Sequence, residues 1–216
     1  MDTQKNFSIQ SVAKKDYLLV AIIGFVSGLL ILPIIKNINF NLTAIRGAAI
    51  VIALTVLAIV ALWIASLISR KIPIILQVAK FSATGVLNTL LDIGVLNLLM
   101  FMFAITAGAG YSIFKGISFI VANINSYFWN KYWTFGASNS ANTKEFGQFF
   151  AVSFIGFLIN TGSASLIVNY INPLAGISAP LWANVGAIIA TLASLIWNFL
   201  GYKFIVFKRT QPATQS

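Results

Sequence analysis

Cysteine and histidine are both missing from this sequence. Their absence excludes disulfides, thiolate nucleophiles, cysteine- or histidine-ligated metals and a histidine general base. Acidic residues are scarce as well, the four being Asp2, Asp16, Asp92 and Glu145. Asp2 and Asp16 fall in the amino-terminal tail, so hydrolysis by paired carboxylates would need Asp92 beside Glu145. One of these lies deep in an apolar segment and the other in a short loop, which argues against that pairing. No Walker A pattern is present, so nothing points to ATP. The expectation is a protein that is not an enzyme and needs no cofactor or metal. Charged residues of either sign amount to only 8%, where a soluble domain carries about 25%.

What is abundant is apolar: 59% of the 216 residues are hydrophobic. So little polar surface cannot clothe a water-soluble globule, and the bilayer must be the solvent. The net charge of +10 does not indicate nucleic acid. The basic residues flank apolar segments, as membrane topology requires. Windows of about 20 apolar residues predict an all-α integral membrane protein with six spans, at 17–36, 47–69, 77–103, 111–132, 147–171 and 180–203. Lysines precede the first span, as in a signal peptide. Its apolar core nevertheless runs on into "LLILPIIKNI" without a small-residue cleavage site, so it reads as a retained helix. Gly24 and Gly28 form a small-xxx-small pair that either permits close helix packing or occurs by chance.

Lysine and arginine then set the orientation. Lys5, Lys14 and Lys15, then Arg70, Lys71 and Lys80, then Lys131 and Lys144, and finally Lys203, Lys208 and Arg209 fall on one side of a six-span chain. Lys36, Arg46 and Lys115 fall on the other. The positive-inside rule puts both termini in the cytoplasm and the protein in the cytoplasmic (inner) membrane. The polar tail over 209–216 is expected to be disordered.

The chain also repeats itself. "SYFWNKYWTF" at 126–135 is echoed by "NFLGYKFIVF" at 198–207. Tyr127, Lys131, Tyr132 and Phe135 align with Phe199, Lys203, Phe204 and Phe207. Further back, "LNTLLDIG" at 87–94 aligns with "IGFLINTG" at 155–162, placing Asp92 on Asn160. Each unit is thus a helix pair closed by an aromatic-lysine ending. Both pairs enter from the same side, unlike the inverted repeats of many transporters.

These residues carry a resemblance. "FSATGVLNTLLDIGVLNLL", "NINSYFWNKYWTF", "FGQFFAVSFIGFLINTG" and "WNFLGYKFIVF" together resemble the GtrA-like family over residues 73–208. The resemblance implies a four-helix transmembrane domain there, following an extension, 1–72, that holds two further spans. It also implies a place in the synthesis of cell-surface polysaccharide or glycolipid. Such proteins are proposed to move polyprenyl-phosphate-linked sugars or to assist a glycosyltransferase that uses them. Similar domains are fused to dolichol-phosphate mannose synthase-like enzymes. Lysine stands at both basic positions, Lys131 and Lys203, where arginine is common in the family, which weakens a bidentate phosphate grip.

The polar residues of the spans are the candidate site. Asp92 lies 12 residues past Lys80, roughly 18 Å along a helix and near the bilayer midplane. A charge there costs about 2.5–3.5 kcal/mol on insertion scales, so it should face protein or a wet cavity. Asn88 and Gly85 share its helical face, and Gly156 and Asn160 share a face in the second unit. Asn123, Ser126 and Asn130 form one stripe in the fourth span, and Asn184, Thr191 and Asn198 another in the sixth. Two readings remain open. These groups line a hydrated groove through spans three to six, or they join helices by hydrogen bonds, with Asp92 bonded to an asparagine. Lys131 and Lys203 would sit at the cytoplasmic interface, as snorkelling anchors or as point charges for a phosphate. Tyr132, Trp133, Phe135, Phe204 and Phe207 would form an aromatic belt beside them. Lys115, near the outer face, offers a second phosphate contact, and Glu145 would position the loop at Lys144.

The expected substrate-binding set is therefore Asn88, Asp92, Asn123, Asn130, Lys131, Asn160, Asn198 and Lys203. The expected partners are a polyprenyl-phosphate-linked sugar and membrane lipid. A membrane glycosyltransferase or further copies of the chain remain open as additional partners. Two other functions stay open: a non-catalytic scaffold for a glycosyltransferase, and a proton-coupled small-molecule exporter working through Asp92.

Overall fold

The computed structural model describes residues 12–37, 41–105, 108–137, 140–173 and 179–207. The expected disordered tail, Lys5, Lys208 and Arg209 lie outside the described residues, as do the side chains of Lys36, Lys115 and Asn184. Six long helices follow one another: α1 (Lys14–Asn37), α2 (Ala44–Ser69), α3 (Ile74–Phe103), α4 (Gly108–Trp129), α5 (Thr143–Tyr170) and α6 (Ala179–Gly201). No strand occurs among the described residues. Five of the six are long and apolar enough to cross a membrane. The one that falls short, α4, is diluted by Lys115, Asn123, Asn125 and its serines.

Local chemistry explains several helix starts. The Asp16 carboxylate reaches back to accept the Ala13 N–H at 2.9 Å, half of a capping box. Thr43 caps α2 by accepting the Arg46 N–H. Asn142 caps α5 by accepting the Glu145 N–H at 2.9 Å, while the Glu145 carboxylate stands in the first turn, where the helix dipole favours an anion. At the other end of α3, Ala104 adopts a left-handed conformation and stops the helix.

Two helices end otherwise than their apolar spans predict. After Trp129 and again after Gly201 the backbone widens into a five-residue π turn, Asn130–Thr134 and Tyr202–Val206. Each is closed by an aromatic N–H five residues on: Phe135 to the Asn130 carbonyl and Phe207 to the Tyr202 carbonyl, both at 2.8 Å. Such single π turns within α-helices are uncommon and concentrate at functional sites.

The chain forms two compact units, Met1–Gly136 and Ala137–Ser216. The first holds α1 to α4 and the first π turn. Its core gathers Val20, Ile23, Leu62, Leu76, Leu87 and Trp133. The glycine pair of α1 packs tightly. A Cβ on Gly24 would stand 2.8 Å from the Thr55 Cα, and one on Gly28 would stand 2.7 Å from the Val51 Cα. This is the close backbone approach that small residues permit in membranes. The second unit is the α5–α6 pair with the second π turn. It centres on Phe149, fully buried, whose ring stacks on Tyr202 at 4.2 Å.

Candidate functional site

In the first unit, α3 and α4 are joined by polar bonds inside the span. The Ser118 hydroxyl donates to Asp92 Oδ1 at 2.6 Å, and Asn125 Nδ2 donates to Asn88 Oδ1 at 2.6 Å. The Asp92 bond goes to a serine, where the sequence suggests an asparagine: Ser118 is the short polar residue that α4 brings to that level. Nearer the end of the pair, Gln77 Nε2 donates to the Thr134 carbonyl at 3.3 Å. Gln77, Thr84, Asn88 and Asp92 follow each other at helical spacing, so α3 presents a polar seam toward α4. Asn123 is buried and donates to the Phe119 carbonyl of its own helix. Asn130 Nδ2 donates to the carbonyl and hydroxyl of Ser126, while its buried Oδ1 lacks a partner.

In the second unit, Asn160 Nδ2 lies 3.4 Å from both Thr191 Oγ1 and Ser194 Oγ. Asn198 leans on Gly156, where a side chain would collide with its amide, and its buried Oδ1 has no hydrogen-bond partner. The Tyr202 hydroxyl and Ser153 hydroxyl share a 2.7 Å hydrogen bond. Trp197 Nε1 donates to the Val152 carbonyl at 3.0 Å.

Each π turn carries a lysine at its second position between two aromatic rings. Lys131 Nζ lies 5.8 Å from the centroids of Tyr127 and Tyr132. Lys203 Nζ lies 5.6 Å from those of Phe199 and Phe204. Both distances are within the reach of a cation–π attraction. The two lysines differ in exposure. Lys131 is 0% exposed and Lys203 is half-buried, so Lys131 does not snorkel. Nor do all the neighbouring aromatics form a belt. Tyr132 and Phe204 are exposed, whereas Trp133, Phe135 and Phe207 turn into the protein.

A further cluster joins α1 to α3 and the first π turn. Lys80 Nζ and Asp16 Oδ1 form a buried ion pair at 2.7 Å. Trp133 Nε1 donates to the same carboxylate oxygen at 2.9 Å. Lys80 also lies 5.6 Å from the Trp133 ring centroid. Asp16 is therefore a buried structural acid in the first turn of α1 and no part of a tail.

The GtrA/DPMS transmembrane domain matches residues 80–207, from Lys80 to the aromatic that closes the second π turn. The chain belongs to this family. A stretch of 128 residues, 59% of the chain, is 29% identical to 77% of the "Uncharacterized membrane protein YngA" of Bacillus subtilis strain 168. No solved structure matches. Membership and the apolar helices together make this GtrA/DPMS-family chain a multi-pass membrane protein. They fit a membrane protein of glycolipid or polysaccharide biosynthesis, and membrane domains of this kind are typically non-catalytic.

For this GtrA/DPMS-family chain the candidate residues sort into three groups. Asn88, Asp92 and Asn160 reach across to the partner helix of their own pair. Asn123, Asn130 and Asn198 are held within or against a helix, two of them with an unmatched carbonyl oxygen. Lys131 and Lys203 sit in the π turns. Ser118, Ser153 and Tyr202 are polar partners that sequence reasoning passes over. Spacing alone carries no signal for pairs 26 to 49 residues apart.

Proposed function

We propose that this chain moves a polyprenyl-phosphate-linked sugar across the cytoplasmic membrane, with both termini in the cytoplasm. The carrier's tail stays in lipid. Its phosphate is drawn to the lysine-bearing π turns, where a partly dry lysine acts as a point charge on an anion. Lys203, half-buried, meets the phosphate first. The sugar hydroxyls exchange with the polar seams, since asparagine both donates and accepts and brings no charge into hydrocarbon. The observation that carries this reading is the pair of aromatic-framed lysines on π turns within the family-matched region.

The test is movement in liposomes holding the purified protein and a polyprenyl-phosphate sugar that an external enzyme can consume. Protein-dependent consumption of the inner-leaflet pool is expected, with loss in Lys203→Ala and retention in Lys203→Arg. No protein-dependent movement would overturn the proposal.

A second reading has support of its own. Asn88 and Asp92 already have partners in α4, Asn125 and Ser118, as a dry scaffold for a membrane glycosyltransferase would require. Stable co-purification with a transferase, together with an inactive liposome assay, would favour it.

A further inference from the structure

The 79 residues ahead of the family-matched region are assigned no role by the family. The Asp16–Lys80–Trp133 cluster gives them one. Asp16 belongs to this extension, Lys80 opens the matched region, and Trp133 sits inside the first π turn, two residues after Lys131. One carboxylate oxygen serves both partners. Each of the three is buried. Removing the acid would strand a buried ammonium and a buried indole N–H, and both are costly when unpartnered.

The second unit has no counterpart. At the offset of 68 residues that puts Asp92 on Asn160, Lys80 falls on Gln148. At the offset of 72 that joins the lysine endings, Trp133 falls on Ile205, which is exposed. Lys131, two residues before Trp133, is fully buried, and Lys203 is half-buried.

From this contrast we infer that the amino-terminal helix pair is a brace for one lysine turn, with Asp16 the positioning residue that holds Trp133 and so keeps the Asn130–Thr134 turn closed. The extension thereby holds the turn whose lysine is fully buried. The inference does not require Lys131 to meet a phosphate.

The absence of cysteine allows a direct test on the full chain in membranes. Thr134→Cys reports on the braced turn, and Val206→Cys, also buried and at the aligned position, reports on the other. Both introduced thiols are expected to resist a small water-soluble maleimide. In the Asp16→Leu/Lys80→Met background no lone buried charge remains but the indole loses its acceptor. Labelling at position 134 should then quicken by about tenfold or more, as local opening predicts, while the thiol at position 206 stays protected. Asp16→Asn/Lys80→Met keeps an acceptor and should restore protection. Trp133→Phe removes the donor together with part of a core ring, tests the same cluster if the double variant does not fold, and should also speed labelling at position 134. Continued protection of that thiol in the folded double variant and in Trp133→Phe would overturn the inference, as would equal exposure of the thiol at position 206.

Discussion

Gly28 of α1 lies so close to Val51 of α2 that a Cβ on the glycine would stand 2.7 Å from the Val51 Cα. The obstacle is backbone, which cannot swing aside as a side-chain tip can. Gly28→Ala should therefore push the two helices apart and cost about 1–3 kcal/mol, the usual range for overpacking. Gly47→Ala is the control, because its nearest neighbours stand at 3.7 Å or beyond, an ordinary contact. Thermal unfolding in detergent should show a clear drop for the first and none for the second.

Asp16 and Lys80 should be strongly coupled. Asp16→Leu or Lys80→Met alone leaves its partner buried and unpaired, a loss of about 3–5 kcal/mol for a broken buried pair. The double replacement removes both charges and should recover most of this. What remains is the unsatisfied Trp133 indole, worth about 1–3 kcal/mol, and the Ala13 N–H that loses its cap acceptor, worth about 0.5–2 kcal/mol. A double-mutant cycle on unfolding reads the coupling directly, and additive losses would contradict it.

Phe149 and Tyr202 separate packing from hydrogen bonding in the second unit. Tyr202→Phe keeps the 4.2 Å ring stack and loses the Ser153 bond, for about 0.5–1.5 kcal/mol. Ser153 still has the Phe149 carbonyl to donate to, at 2.9 Å, so the lower end is expected. Phe149→Ala empties a fully buried site and should cost about 3–5 kcal/mol. Unfolding midpoints of the two variants in detergent check the ranking.

Asp92 offers a split between stability and transport. Its bond to Ser118 is an interhelical bond in a membrane span, a class that averages about 0.6 kcal/mol. Ser118→Ala and Asp92→Asn should both fold with unfolding midpoints near the parent. Under the proposed function Asp92→Leu should lower polyprenyl-phosphate sugar movement in liposomes by about tenfold, equivalent to roughly 1.4 kcal/mol at the barrier. Unchanged transport in a folded Asp92→Leu variant would remove this residue from the path.

The helices are legible in the sequence because hydropathy is a local property. Spans predicted at 47–69 and 77–103 correspond to Ala44–Ser69 and Ile74–Phe103, with ends shifted by turns and caps. The glycine pair is legible for the same reason, since Gly24 and Gly28 fall on one face by spacing alone. Asp16 reads as part of a tail because its meaning depends on Lys80, 64 residues on, and Trp133, 117 residues on. No periodicity carries a contact over that distance. The π turns are invisible to a search for 3.6-residue spacing, although the doubled aromatic-lysine ending marks where they fall. Lys131 and Lys203 look alike in sequence, and their unequal burial follows from neighbours that local sequence does not name.

A π turn closes its hydrogen bond over one residue more than an α turn does. Phe135 and Phe207, whose N–H groups close the two turns, are both buried, and one extra residue turns a chain by about 100° relative to an uninterrupted helix. Side chains in these two stretches can change while the rotation persists. A single missing residue would let the helix run straight and swing the closing ring out of the protein, so the number of residues there is fixed more tightly than their kind.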